Sequence, residues 1–540
     1  MISGIVHQDG KLIWFEDIAV LKKEDVPRGP ATENTLWFAT AAVSMKTLIS
    51  LLGEEDEAFG PNPDKPIGCT FTWVGSDGKR KSMKVMKSTV WGVSSKDPID
   101  TENQLMMKMM SCAADGILPT SSAAGTALSR YMKQYDGKGG RPKTQQLPPR
   151  WREIAHASFH GGPIAMTMAS HPDVIHIDMR GAYLHAMREE LPIYGTDPRT
   201  EEKIGGYLTY KDAKWEDVSG KVGFVEATVS IRKGLFGEGD VPPLPIRHFT
   251  GSMHPVGTFR GAWPICMVDD AVAAGEVEVL NVHQFCWAPI TGRIFSEISD
   301  DFQLNRQGKL LYTRFWGKWA SKGGFNGVKT DNPPNGAVRS HGLWWTNEGV
   351  EAMGHDAPPT YRPDLAAMIA GYNHCQIYNA VRKLKKGSII SLYVDAIWTS
   401  DIEGAHRIIE ESEGEWVQKE RGSARFYGPG VYQHNNRIGA AGYDTGIHGE
   451  LTPEKLKAWA ASPMHKGGNM VTNRIWTGHP SKEATAKSKP CRLQDSDCVP
   501  ACRGPSIHSE IWTPSGWVHQ DTMRRLAESD ARRAPGPITI

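Results

Sequence analysis

Two short apolar runs, Val174-Ile175-His176-Ile177-Asp178 and Ile389-Ile390-Ser391-Leu392-Tyr393-Val394-Asp395-Ala396-Ile397, each carry a single aspartate and lie more than two hundred residues apart. Runs rich in β-branched and aromatic residues are read as buried strands. An acid delivered by a buried strand is held rigidly, and rigid carboxylates are what catalytic sites need. Taken alone, an aspartate at a strand end is more often structural. A pair of them constrains the chain more: the expectation is a mixed core in which two distant strands come side by side.

The rest of the chain fits an assembly of several packed units, since 540 residues exceed one ordinary core. Residues 1–150 read as a mixed N-terminal region. Glu54-Glu55-Asp56-Glu57 and Gly60-Pro61-Asn62-Pro63 form a solvated turn region within it, and Leu105, Met106, Met109 and Met110 give helical spacing over 100–114. The Gly-, Lys- and Pro-rich stretch 137–149 reads as a linker. Residues 200–295 alternate strands with Gly/Pro turns. Residues 296–320 read as helix, 321–360 as a Gly-, Asn- and Pro-rich connection, and 364–386 as a second helix whose basic end, Arg382-Lys383-Leu384-Lys385-Lys386, suits a helix C-terminus. The eighteen tryptophans are read as core and interface packing.

Bulk properties exclude some classes. The formal net charge of +1 neither demands nor forbids a nucleic-acid partner, because a basic groove is a local feature. No stretch approaches the roughly 18 apolar residues that cross a bilayer. The start Met1-Ile2-Ser3-Gly4 lacks the pattern of a signal peptide, and eight scattered cysteines suit a reducing compartment. A soluble, cytoplasmic protein is expected, in the host cytoplasm if the chain is viral.

Between the two acids lies a helical segment with Arg306, Lys309, Trp316 and Gly317. Phosphoryl transfer uses such groups: two carboxylates for a pair of Mg²⁺ ions, and cationic side chains for a triphosphate.

Ordered motifs sharpen this reading. Asp178-Met179-Arg180-Gly181-Ala182-Tyr183-Leu184 resembles motif A of family B DNA polymerases, D-x-x-S-L-Y-P-S. Lys309-Leu310-Leu311-Tyr312-Thr313-Arg314-Phe315-Trp316-Gly317 resembles motif B, K-x-x-x-N-S-x-Y-G, and Tyr393-Val394-Asp395-Ala396-Ile397 resembles motif C, usually D-T-D-S-I. Phe159-His160-Gly161-Gly162 is similar to the Y-x-G-G element between exonuclease and polymerase domains, and Gly430-Val431-Tyr432 stands where the family has K-x-Y. Five matches occur in family order over roughly 120–445, with spacings most like the protein-primed branch of phages and linear plasmids.

The resemblance implies an α/β (α+β) right hand. Residues 1–150 would be an N-terminal domain, 151–295 palm with motif A and an insertion, 296–386 fingers, 387–404 palm with motif C, and 405–540 thumb and tail. It implies a template-directed polymerase adding dNTPs to a 3′-OH. Asp178, Asp395 and the Met179 carbonyl would hold two Mg²⁺ ions, with Mn²⁺ able to substitute. Tyr183 would lie under the incoming sugar, Lys309 and Arg306 would meet the triphosphate, and Thr313, Trp316 and Gly317 would face the nascent base pair. Phe159, Gly161, Gly162 and Tyr432 would contact DNA. The implied partners are primer–template DNA, dNTPs and a priming protein or other replication proteins.

Departures from the pattern are specific. Tyr393 replaces the first acid of motif C, Thr313, Arg314 and Trp316 replace Asn, Ser and Tyr of motif B, and Gly430 replaces the lysine of K-x-Y. No exonuclease set of D-x-E, N-x-x-F/Y-D and Y-x-x-x-D occurs in order before residue 150, although Glu102 falls roughly where the last acid would stand. Proofreading is therefore not expected, and the N-terminal region is either an eroded exonuclease or an unrelated accessory domain. Cys491, Cys498, Cys502 and His508 match no common zinc module closely and are read as thiols in a loop-rich tail, a zinc site being the alternative. Two rival functions stand beside polymerisation: an inactive polymerase relative acting as a DNA-binding scaffold, and another two-metal phosphotransferase such as a nuclease or primase.

Overall fold

The computed structural model describes residues 91–93, 98–117, 122–139, 141–168, 170–232, 234–236, 240–248, 251–304, 307–320, 338–340, 343–345, 360–428, 430–440 and 451–456, with short strands near both ends of the chain. In chain order the helices are α1 (Pro98–Ala114), α2 (Ala123–Gln134), α3 (Pro149–Ala157), α4 (Ala182–Met187), α5 (Ile265–Ala273), α6 (Ser296–Leu304), α7 (Gly308–Trp319), α8 (Pro363–Val381) and α9 (Ile402–Glu411). The chain divides into two compact units. One comprises Met1–Tyr135, Ile298–Lys318 and Tyr443–Leu451, and the other Asp136–Glu297, Trp319–Gly442 and Thr452–Ile540.

The first unit contains a sheet of β1 (Gly4–Val6), β2 (Leu12–Trp14), β3 (Ala19–Leu21), β4 (Thr35–Ala39), β5 (Thr70–Val74) and β6 (Arg80–Lys87) in the order β3-β2-β1-β4-β6-β5. β1 runs parallel to β4, and β4 to β6, while β1–β2–β3 and β5–β6 are antiparallel. In the same unit, α7 buries Leu311 and Phe315, the latter 5.8 Å from Tyr131 of α2 and 5.6 Å from Phe302 of α6, ring centre to ring centre. Arg130 of α2 donates to Asp301 of α6 over 3.0 Å.

The second unit is built on β7 (Ile164–Met166), β8 (Ser170–Met179), β9 (Leu208–Lys211), β10 (Gly223–Ile231), β11 (Pro255–Pro264), β12 (Glu278–Trp287), β13 (Ile389–Tyr393), β14 (Ala396–Thr399), β15 (Trp416–Gly428), β16 (Val431–His434) and β17 (Arg437–Ala440). Seven of these form an antiparallel sheet in the order β17-β16-β15-β8-β14-β13-β7. Its centre is β8, buried on both sides over Val174–Ile177, as its β-branched run requires. On one face Ile175, Ile177 and Met179 pack with Ile377 and Tyr378 of α8 and Ala405 and Ile408 of α9. Burying each of these isoleucine or methionine side chains contributes about 1.5–3 kcal/mol. On the other face Val174, Ile390, Ala396, Trp398, Ala424 and Phe426 form a thinner layer, and this is the face of Asp178, which stands opposite Ala396. Strands β15 to β17, expected from sequence to begin a thumb, hydrogen-bond into this same sheet.

The insertion after motif A makes a second sheet in which β9, β12, β10 and β11 lie side by side. It wraps a core of Val225, Phe259, Trp263, Ile265, Val268 and Phe285. Helix α5, Ile265–Ala273, belongs to this core and departs from the expectation of strands and turns throughout 200–295. Likewise, 296–320 is two helices rather than one, and 389–397 is a hairpin rather than one strand. Among the described residues no helix is long and apolar enough to cross a membrane.

Candidate active site

Asp178 and Asp395 lie on neighbouring strands of the second unit. The Met179 N–H donates to the Asp395 carbonyl over 2.9 Å, and Asp178 pairs with Ala396, the residue after Asp395. Asp178 sits within β8, whereas Asp395 occupies the two-residue turn Val394–Asp395 between β13 and β14. That turn is strained. Val394 has φ +63°, a conformation β-branched residues rarely adopt, at a cost of about 1–3 kcal/mol. The Asp395 N–H closes it on the Tyr393 carbonyl at 2.8 Å. Two outside contacts hold it: the Val394 N–H donates to Pro163 over 2.7 Å, and the Asn373 amide of α8 donates to the Val394 carbonyl over 3.3 Å.

The other predicted residues of this unit converge on the turn or flank it. Gly181, with φ +65°, caps α4 in the left-handed conformation that glycine favours and turns the chain so that buried Tyr183 follows at the second helical position. A Cβ on Gly162 would stand 3.0 Å from Val394 Cα and 3.1 Å from the Tyr183 hydroxyl, so the Gly-Gly element fits here because it lacks one. Burial pushes the Tyr183 phenol far up, and the negative charge of Asp395 adds to this. Tyr393, in the place of the missing acid, is raised by burial and then by Asp395. Tyr432 on β16 packs at a tilt against Trp398, their ring centres 5.1 Å apart. Its phenol is raised by burial and by Glu420 and Asp178, against the opposing charge of Arg437. Gly161 (φ +76°) and half-buried Phe159 lie in the loop before β7, where His160 donates to the Ala262 carbonyl of β11 over 2.8 Å.

Lys309, Thr313, Trp316 and Gly317 lie on α7, in the first unit. Lys309, Thr313 and Gly317 are exposed and share one helical face, opposite buried Leu311 and Phe315. The Thr313 hydroxyl donates back to the Lys309 carbonyl over 2.6 Å. Arg306 lies outside the described residues, as do Cys491, Cys498, Cys502 and His508.

One participant was not read from sequence. The Lys419 ammonium lies 3.3 Å from the Asp178 carboxylate. Lys419 is the extra residue of a bulge in β15, between Gln418, paired with Ile177, and Glu420, paired with His176. Only strand register reveals that placement, since bulges re-aim side chains without a sequence signal.

The donors at this site are hard oxygens: two carboxylates and the Met179 carbonyl. Among the described residues no three His, Cys, Asp or Glu side chains converge as a metal site. Such a set fits Mg²⁺, which is commonly held by one or two carboxylates together with substrate phosphates and water rather than by an all-protein cage.

No family profile matches the sequence, and no curated protein matches it. Solved structures do. Phi29 DNA polymerase complexed with primer-template DNA and incoming nucleotides superimposes with a TM-score of 0.56 at 12% identity, over 85% of this chain and 94% of that one. The chain has a DNA polymerase fold. The complex of phi29 DNA polymerase with single-stranded DNA gives 0.56 at 12% identity, over 84% and 94% of the two chains. The orthorhombic crystal form gives 0.54 at 13%, over 78% and 86%.

Proposed function

We propose that the chain is a template-directed DNA polymerase that adds dNTPs to a primer 3′-OH. The observation that carries this is the pairing of Asp178 with Ala396, next to the strained turn bearing Asp395, within a fold shared with a polymerase solved with primer-template DNA and nucleotides. Asp178, Asp395 and the Met179 carbonyl would hold two Mg²⁺ ions. Bound there, the ions would lower the pKa of the attacking hydroxyl and offset charge on the leaving pyrophosphate. The protein's contribution is position. The sheet fixes Asp178, and the contacts from Pro163 and Asn373 fix the turn of Asp395. Buried Tyr183, against Gly162 and beside Asp395, offers a flat wall under the sugar of the incoming nucleotide and would collide with a ribose 2′-OH. Lys309, with Thr313 and Gly317 on one exposed face of α7, would neutralise the triphosphate.

The test is primer extension with Mg²⁺. Asp178→Asn and Asp395→Asn should each lower extension by at least about a thousandfold, as expected when an essential charge is lost. Primer–template affinity, read by fluorescence anisotropy, should stay within a few-fold. Extension persisting in both variants would remove the assignment. Wild-type protein that binds DNA but does not extend it would favour the scaffold reading, for which the replacement of the first motif C acid by Tyr393 is the supporting observation.

A further inference from the structure

The contact between Lys419 and Asp178 places a fixed positive charge against one of the two acids. Their side chains are 32% and 24% exposed, so the pair is only partly screened by water. The bulge gives Lys419 this position by design of the strand: a regular β15 would pair every residue with β8, and here one is left over beside the acid. Among the described residues Asp178 is the carboxylate that pairs with Lys419, while Arg437 and Lys419 both act on neighbouring His176 as positive charges.

An ammonium in this place treats two forms of a divalent cation oppositely. A bare cation must displace it from Asp178 and is repelled by it. A cation carried on a nucleoside triphosphate arrives as a net anion, and the displaced ammonium can turn to a phosphate oxygen. We propose that Lys419 is a positioning residue that couples cation loading at Asp178 to the triphosphate, keeping the acid neutralised until a nucleotide arrives. This rests on the polymerase reading of the two acids. It also accounts for a site that lacks a third carboxylate among the described residues.

The test measures Mn²⁺ binding to the full-length protein by electron paramagnetic resonance, without DNA, in the absence and presence of dATP. Lys419→Met should tighten binding of bare Mn²⁺ by about threefold to fivefold, the worth of a partly exposed ion pair. With dATP present the same substitution should weaken binding by about tenfold, the worth of a charged hydrogen bond. The KM for dATP in primer extension should rise in parallel. Lys419→Arg, which keeps the charge, should restore the native order of the two affinities. Equal shifts in both conditions, or none, overturn the proposal. Asp178→Asn provides the separate check on the reading beneath it. If that variant binds bare Mn²⁺ as the native protein does, Asp178 is no cation ligand, and both the two-acid assignment and the role of Lys419 fall. If it loses binding while Lys419→Met shifts nothing, only the role of Lys419 falls.

Discussion

Gly162 shows how one missing methyl group positions a distant acid. The Val394–Asp395 turn approaches so closely that any side chain at residue 162 would press on Val394 Cα and Cγ1, both 3.0 Å from the position of a Cβ. Neither is the loose end of a flexible side chain, so the turn itself has to move. Gly162→Ala should therefore cost about 1–3 kcal/mol of stability, the usual penalty of overpacking. A shift of even about 1 Å in a catalytic group can cost roughly a hundredfold in rate. We expect extension to fall by about that factor while the protein stays folded, as read by its circular dichroism spectrum and unfolding midpoint. A variant that loses the predicted stability yet extends primers at the native rate would show that the turn does not position Asp395.

Among the described elements, α8 packs against both the insertion and the seven-stranded sheet, and buried histidines lie at its contact with the insertion. His374 of α8 donates from Nε2 to the Pro243 carbonyl over 2.5 Å, and His254 donates from Nδ1 to the Pro242 carbonyl over 2.6 Å. The remaining nitrogens, His374 Nδ1 and His254 Nε2, are buried and meet no hydrogen-bond partner among the described residues. Burial lowers the pKa of His254 from 6.5 to about 4, and burial, with His254 beside it, holds that of His374 well below the usual imidazole value. A depressed pKa means the unfolded chain binds more protons than the folded one. The stability from these histidines is thus complete above about pH 6.5 and is lost as pH falls toward about 4. Denaturant titrations should show a stability slope in that window that shrinks by about two protons in a His254→Phe, His374→Phe double variant, although its stability at pH 7 is lower. An unchanged slope would mean that the pair is not neutral in the fold.

The same scale shows what could be read from sequence. The β-branched run ending at Asp178 is strand β8, helical spacing over 100–114 found α1, and the helix expected over 364–386 is α8. The turn at Val394–Asp395 was missed because neither residue has turn chemistry: a β-branched valine with φ +63° contradicts local preference, and neighbouring elements enforce it. The break between α6 and α7 did leave a signal. A Cβ on Gly308 would overlap the Phe302 carbonyl oxygen, so glycine at that position marks a chain reversal. The basic end of α8 looked like helix-dipole complementation, yet Arg382 instead bridges to Asp270 at 2.7 Å and Glu276 at 2.8 Å, a tertiary pairing invisible in one segment. Lys419 had no local signal, because its neighbour depends on how β15 registers on β8.

For the molecule as a whole, the question left by the sequence is what residues 1–135 contribute. The likeness to phi29 DNA polymerase covers 85% of this chain, so it has to include part of that first quarter. Hydrolytic proofreading needs two metals, and hence several carboxylates converging on the cleaved phosphate from rigid elements. The six strands of the N-terminal sheet read Gly4–Val6, Leu12–Trp14, Ala19–Leu21, Thr35–Ala39, Thr70–Val74 and Arg80–Lys87, and none of them contains an aspartate or glutamate. The acids of residues 1–90 all fall outside these strands in the sequence, as in Glu54-Glu55-Asp56-Glu57, which lies outside the described residues, while Asp100 and Glu102 lie in α1. Strands without carboxylates cannot supply the rigid acids that a two-metal nuclease needs. We therefore expect a 5′-labelled primer with a mismatched 3′ end to remain full length in Mg²⁺ without dNTPs. The same primer should be extended slowly from the mismatch when dNTPs are added, because nothing removes it. Stepwise shortening that survives Asp178→Asn and is lost when N-terminal acids are replaced would place a working nuclease in the first unit.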